Sequence, residues 1–272
     1  MLSDITIGQY FPGRSLLHRL DPRMKLMLTL LFIVVVFLPQ NWAGLGAVAA
    51  FTLLCVALSR LPLRLMWRSV RPVLLLVLFT SLLNMFYITG GTPLLDLGPI
   101  HITSRGVGTA VFIAVRIVCL LMGSSLLTYT TTPTALTDAI ERLLSPLRVI
   151  RVNAHELAMM MTIALRFIPT LMEETDKIMA AQKARGADME SGGLIRRVRA
   201  MIPILIPLFV SSFRRAYDLA MAMECRCYRG GEGRTRMRSP HIAPRDIAAL
   251  AAVAVFAGGL IVLNVLFGSV LA

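Results

Sequence analysis

Acidic residues, cysteine and histidine are scarce in this chain, and each shortage excludes a class of function. Only 15 Asp and Glu face 28 Lys and Arg, a formal charge of +13. The spans contain no paired aspartates of the kind an intramembrane protease requires. Four cysteines, Cys55, Cys119, Cys225 and Cys227, give no disulfide framework. Cys55 and Cys119 fall within apolar runs, and Cys225 and Cys227 have no histidine or second cysteine pair nearby to complete a metal site. The four histidines, His18, His101, His155 and His241, are scattered, and no His-Glu-x-x-His, Gly-x-Ser-x-Gly or Gly-Lys-Ser/Thr phosphate loop occurs. No enzymatic machinery and no cofactor site are therefore expected. Nor do the spans carry the several charges of a proton-coupled carrier, Arg116 being the only clear one. Tandem repeats and low-complexity tracts are absent, and the polar segment before Leu26 lacks the apolar core of a cleaved signal peptide.

What is abundant is hydrophobicity: 56% of the residues are hydrophobic and the mean hydropathy is +0.73, values of an integral membrane protein. The basic residues alternate with apolar spans and accompany no zinc knuckle or aromatic RNA-binding box, so no nucleic-acid partner is expected. Positive charge here sets topology and meets anionic lipid or an acidic partner surface.

Apolar segments lie near 26–38, 42–58, 73–89, 107–129 and 247–271. The first is shorter than the roughly 20 residues needed to cross hydrocarbon, so it must borrow flanking residues or thin the bilayer. Asp21-Pro22 before it reads as a helix cap with proline at the first helical position. The connection after the second span holds Arg60, Arg64, Arg68 and Arg71 and no acid, and is assigned to the cytoplasm. Residues 90–105 carry few charges and belong outside. Most of the 28 Lys and Arg fall between Thr130 and Asp246, which places that block inside. Parity gives an inside amino terminus, five crossings and an outside carboxyl terminus. Arg116 within the fourth span is expected to pair with a polar group on a neighbouring helix.

The cytoplasmic block reads as three helices. Residues 134–148 have one greasy face suited to the membrane interface. Residues 154–186 and 194–229 carry apolar side chains at three-and-four spacing, interrupted by charges, and so are amphipathic rods and not spans. Pro169 in the first, with Pro203 and Pro207 in the second, should bend them. Each closes on an arginine between small residues, Ala184-Arg185-Gly186 and Cys225-Arg226-Cys227. A basic residue in a last helical turn is favoured by the helix dipole in any protein, but a guanidinium also offers a planar fork able to seat in a partner's groove. The methionines of the first rod, among them Met160, Met161 and Met172, suit either a flexible core lining or a compliant surface for varied partners. The expected division is residues 1–129 with four spans, 130–230 as the coupling-helix module, and 231–272 as a basic linker with the last span.

Laid out this way, the chain resembles the T component of energy-coupling factor (ECF) transporters, bacterial importers of vitamins and micronutrients. Leu20 to Lys25, with Asp21, Pro22 and Arg23, is similar to that family's first signature, and Leu165-Arg166-Phe167-Ile168-Pro169 followed by Glu173-Glu174 to its central one. Arg185 and Arg226 fall on its two Ala-Arg-Gly motifs, although cysteines stand on both sides of Arg226. The run from Tyr228 to Thr235 resembles the shared, multi-substrate version more than versions dedicated to cobalt or biotin. The resemblance implies an all-α, polytopic protein of the bacterial plasma membrane with about five transmembrane helices. It implies two cytoplasmic ABC ATPase subunits docked at the two motifs, with a separate membrane S component carrying the substrate. A self-sufficient permease with its own pocket is the alternative.

Overall fold

The computed structural model describes residues 10–87, 93–97, 100–144, 154–187, 193–230 and 241–267. Its first helix, α1 (Pro22–Phe37), starts as the local chemistry dictates. Asp21 accepts a hydrogen bond from the Arg23 amide, and proline fills the first helical position, where the missing N–H costs nothing. Then come α2 (Trp42–Ser59), capped by Asn41, and α3 (Leu63–Tyr87). A two-stranded antiparallel hairpin, β1 (Pro93–Leu97) with β2 (Ile100–Thr103), leads into α4 (Ser104–Thr130), whose cap is Thr103. The remaining helices are α5 (Pro133–Leu144), α6 (Ala154–Ala184), α7 (Leu194–Cys225) and α8 (Pro244–Phe267).

Among the described residues the fold is thus all-α apart from the hairpin, which lies in the sparsely charged 90–105 connection where no regular element was expected. A second correction concerns the arginine-rich connection. Only Arg60 lies in it, ending α2 in the left-handed region (φ 53°), while Arg64, Arg68 and Arg71 belong to the first turns of α3. Arg and Leu are good helix formers, and spacings of three and four residues align the three arginines along one side. The expected end of α5 near Pro146 and the basic linker from 231 onward lie outside the described residues.

Among the described residues, four helices are long and apolar enough to cross a membrane: α2, α3, α4 and α8. With 16 residues, α1 spans about 24 Å, short of the roughly 30 Å hydrocarbon core. It is nonetheless packed among them. Phe32, Val35 and Val36 of α1 are buried with Val48 of α2, Cys119 of α4 and Leu260 of α8, and Phe51 stacks on Phe256 with ring centroids 4.3 Å apart. Gly123 of α4 makes this approach possible, because a Cβ there would collide with the Phe32 ring. A second cluster joins α2, α3 and α4 through Val56, Met66, Leu126 and Tyr129.

Polar ties at the helix ends fix the sense of each helix. At one end the Asp21 amide donates to Asp246 of α8 (2.9 Å), and Lys25 Nζ donates to the Thr130 carbonyl at the end of α4 (2.9 Å). At the other, Asn41 Nδ2 donates to the Leu263 carbonyl (2.9 Å), and Asn264 exchanges bonds with Gln40 (3.1 Å) and Leu38 (2.7 Å). So α1 and α8 run one way and α4 the other. Ser81 of α3 reaches the Ala110 carbonyl near the start of α4, and Ser69 meets Tyr129 near its end, which sets α3 antiparallel to α4.

The chain divides into two units, and the division falls inside α5. One comprises the described part of Gly8–Ala139 with Ser239–Ala272, so α8 belongs with the first four helices. The other runs over Ile140–Arg238 and holds α6 and α7.

Candidate functional site

Helices α6 and α7, of 31 and 32 residues, are each close to 47 Å long by helical rise, and both continue through their internal prolines. Their ends share one geometry. In α6 the Gly186 amide donates to the Lys183 carbonyl and the Ala187 amide to Gln182, both at 3.0 Å. In α7 the Cys227 amide donates to Glu224 (2.8 Å) and the Tyr228 amide to Met223 (3.0 Å). Each pair is the double bond of a Schellman motif, which satisfies carbonyls that a helix end otherwise leaves open. The motif demands a left-handed residue, supplied by Gly186 at φ 82° and by Cys227 at φ 58°.

This register puts Arg185 and Arg226 at the same structural position, the last residue before the left-handed one. Ala184, Arg185, Gly186, Cys225, Arg226 and Cys227 are all exposed, and neither guanidinium bonds to another described residue. Two firmly ended rods therefore each present an unpaired fork of donors, a form that recognises a carboxylate or a row of carbonyls.

The rods are pinned to one another along their length. Glu174 of α6 accepts from Ser211 and pairs with Arg215, both of α7. Nearer the tip of α6 and the start of α7, Gln182 Nε2 donates to the Pro203 carbonyl (3.4 Å). Glu141 at the end of α5 binds His155 Nδ1 at the start of α6 (2.9 Å). Sequence reading named Glu174 but neither of its partners. Ser211 and Arg215 are four residues apart and so share a helix face, but nothing in the sequence says which helix that face meets.

Of the methionines singled out, Met160 and Met161 are exposed on α6 and Met172 is half-buried. Arg166 and Pro169 are exposed as well. On α7 an apolar stripe through Val198, Ile202, Leu205, Phe209, Phe213 and Tyr217 is exposed along its length.

The first signature has a different character. Besides Asp21's cap, Lys25 Nζ donates to the His18 carbonyl (3.2 Å) as well as to Thr130, and Asp246, 1% exposed, receives the amides of Asp21 and Ala243. Asp21 and Lys25 thereby bind α1, α4 and α8 together. The Nε and Nη2 of Arg23 are buried with no hydrogen-bond partner among the described residues. Arg116 donates to the Pro39 carbonyl in the α1–α2 connection and lies over the Phe112 ring, 4.8 Å from its centroid. The expected polar partner is thus a backbone carbonyl, in a connection and not on a neighbouring helix. Among the described residues no cluster of His, Cys, Asp or Glu could hold a metal.

Comparison with known proteins gives a consistent picture. Residues 13–237 match the family model CbiQ, described as cobalt transport protein. The energy-coupling factor transporter transmembrane protein EcfT of Thermosediminibacter oceani is 52% identical over 258 residues, covering 95% of this chain and 97% of the relative. The protein of that name from Clostridium kluyveri is 53% identical over 256 residues (93% and 94%), and that from Ruminiclostridium cellulolyticum 49% over 267 (98% and 100%).

Proposed function

Since the chain belongs to the CbiQ family, and within it to the transmembrane energy-coupling components of ECF transporters, we propose that α6 and α7 carry motion from two cytoplasmic ABC ATPase subunits to a membrane S component. One ATPase seats on Arg185 and the other on Arg226. The S component rests on the exposed stripe of α7 and on Met160, Met161 and Met172 of α6. The observation that carries this reading is the matched pair of helix ends, each fixing an exposed, unpaired arginine at the same position of the same cap. A stiff rod with a defined end transmits displacement, whereas a frayed end would absorb it.

The proposed orientation follows the distribution of positive charge: the amino-terminal segment and the 130–230 module face the cytoplasm of the bacterial cell, and α8 leads outward. ATP is hydrolysed in the partner subunits, and the substrate is held by the S component. We assign the chain to the shared, multi-substrate version, from the likeness of its Tyr228–Thr235 run. The cobalt transport description of its family favours a dedicated version instead.

The decisive experiment combines Arg185→Glu and Arg226→Glu in the full complex. Insertion into membranes is expected to persist while ATPase co-purification and uptake are lost. Normal uptake by the double variant refutes the assignment. Affinity purification of the native chain, with its partners identified by mass spectrometry, separates the two versions: several different S components indicate the shared one, a single one the dedicated.

A further inference from the structure

The unit formed by α1–α4 and α8 contains a cavity of about 450 Å³ that plays no part in the coupling assignment. Its walls are Phe32 of α1, Phe51 and Leu54 of α2, Leu126 of α4, and the small Ala249 and Ala252 of α8. Three hydroxyls also reach it, but each is already committed to its own helix: Thr29 to the Lys25 carbonyl (2.8 Å), Thr52 to Val48 (2.8 Å) and Thr130 to Leu126 (2.7 Å). A polar solute placed there would lose its hydration and gain no partner, so the body of the cavity suits only hydrocarbon.

The polarity is concentrated where the amino-terminal ends of α1 and α8 meet. Lys25 and Arg245 line the cavity there. Lys25 Nζ gives two of its three hydrogens to the carbonyls of His18 and Thr130 and keeps one. Arg245 is exposed and bonds to no described residue. Two carboxylates lie at the same end: Asp246 accepts the Asp21 amide on Oδ1 and the Ala243 amide on Oδ2, and Asp21 accepts the Arg23 amide on Oδ1, so both act on the buried Lys25 while Arg245 has no contact ion partner among the described residues.

We infer that this cavity holds one acyl chain of an anionic phospholipid, whose phosphate lies against Arg245 and the remaining Lys25 hydrogen. A hydrocarbon slot whose open polar end presents the exposed Arg245 and one remaining Lys25 donor, with the charge of Lys25 balanced by Asp21 and Asp246, is complementary to a molecule with an apolar chain and an anionic head, and basic pockets between membrane helices recognise such lipids. The lipid fills the space between α1, α2, α4 and α8. This site is independent of the arginine-tipped rods.

The test uses the full chain in its complex, delipidated and re-exposed to an equimolar mixture of phosphatidylglycerol and phosphatidylcholine, with retained lipid read by native mass spectrometry. Phosphatidylglycerol is expected to be retained about fivefold or more over phosphatidylcholine, the factor one basic residue contributes near a membrane surface. Arg245→Gln should remove that preference, Ala249→Phe should abolish retention by filling the slot, and Arg64→Gln, an exposed arginine outside the cavity, should change neither. Equal retention of the two lipids overturns the inference. So does phosphatidylglycerol retention that ignores both cavity substitutions, or its displacement by an equimolar free fatty acid.

Discussion

The ends of α6 and α7 are built to one plan from different residues. Both close with the same pair of hydrogen bonds and carry their arginine at the same place, but one uses glycine at the left-handed position and the other cysteine. For Gly186 that backbone is free of cost. For Cys227 the Cβ crowds the backbone, at about 1 kcal/mol or more. A Cβ built at Gly186 would meet nothing within 4 Å, so the two sites differ in backbone preference and not in available space. The difference teaches that glycine is dispensable for this cap, whose two hydrogen bonds form with cysteine in the same place.

If the two tips are equivalent in use, Arg185→Glu and Arg226→Glu should each lower ATP-driven uptake in proteoliposomes by about 30-fold or more, the loss typical of reversing a charge seated in a partner's groove. A large effect at one tip alone would break the comparison. Next in size, Gly186→Val should destabilise the end of α6 by about 1–3 kcal/mol, because a β-branched residue resists the left-handed region. Cys227→Val, which starts from a residue that already carries a Cβ, should cost less. Amide hydrogen exchange over 182–187 and 223–228 measures both. Cys227→Gly should stabilise the end of α7 by about 1 kcal/mol, seen as slower exchange of the Tyr228 amide, with uptake unchanged. The smallest change is expected from the pin shared by both rods. The Glu174 and Arg215 side chains are 21% and 36% exposed, so a double-mutant cycle with glutamine at both positions should give a coupling below about 1 kcal/mol.

The helices that the sequence made legible are those whose signal is long and local. The spans near 42–58 and 107–129 are found within a few residues, because long, predominantly apolar stretches leave little other solution. The rods were visible through their spacing and their arginines through their position. The start of α3 was hidden because its first turns are amphipathic and an apolar scan skips them. The hairpin between α3 and α4 was hidden because two short strands carry too little pattern to stand out. Long-range partners were not legible at all. Asp246 looks like an ordinary acid in a first helical turn, and only the fold shows it receiving the amide of Asp21. Cys227 illustrates the same limit in the backbone: its cysteine gives no warning of a positive φ, which the two cap hydrogen bonds impose.

The bond between the Asp21 amide and Asp246 joins residues 225 apart in the sequence, and Asn41 and Asn264 repeat the stitch at the opposite end of the same helices. During synthesis the early helices must therefore wait in the bilayer with these amides and carbonyls unclaimed until α8 leaves the ribosome. Arrival of α8 closes both ends of the bundle at once.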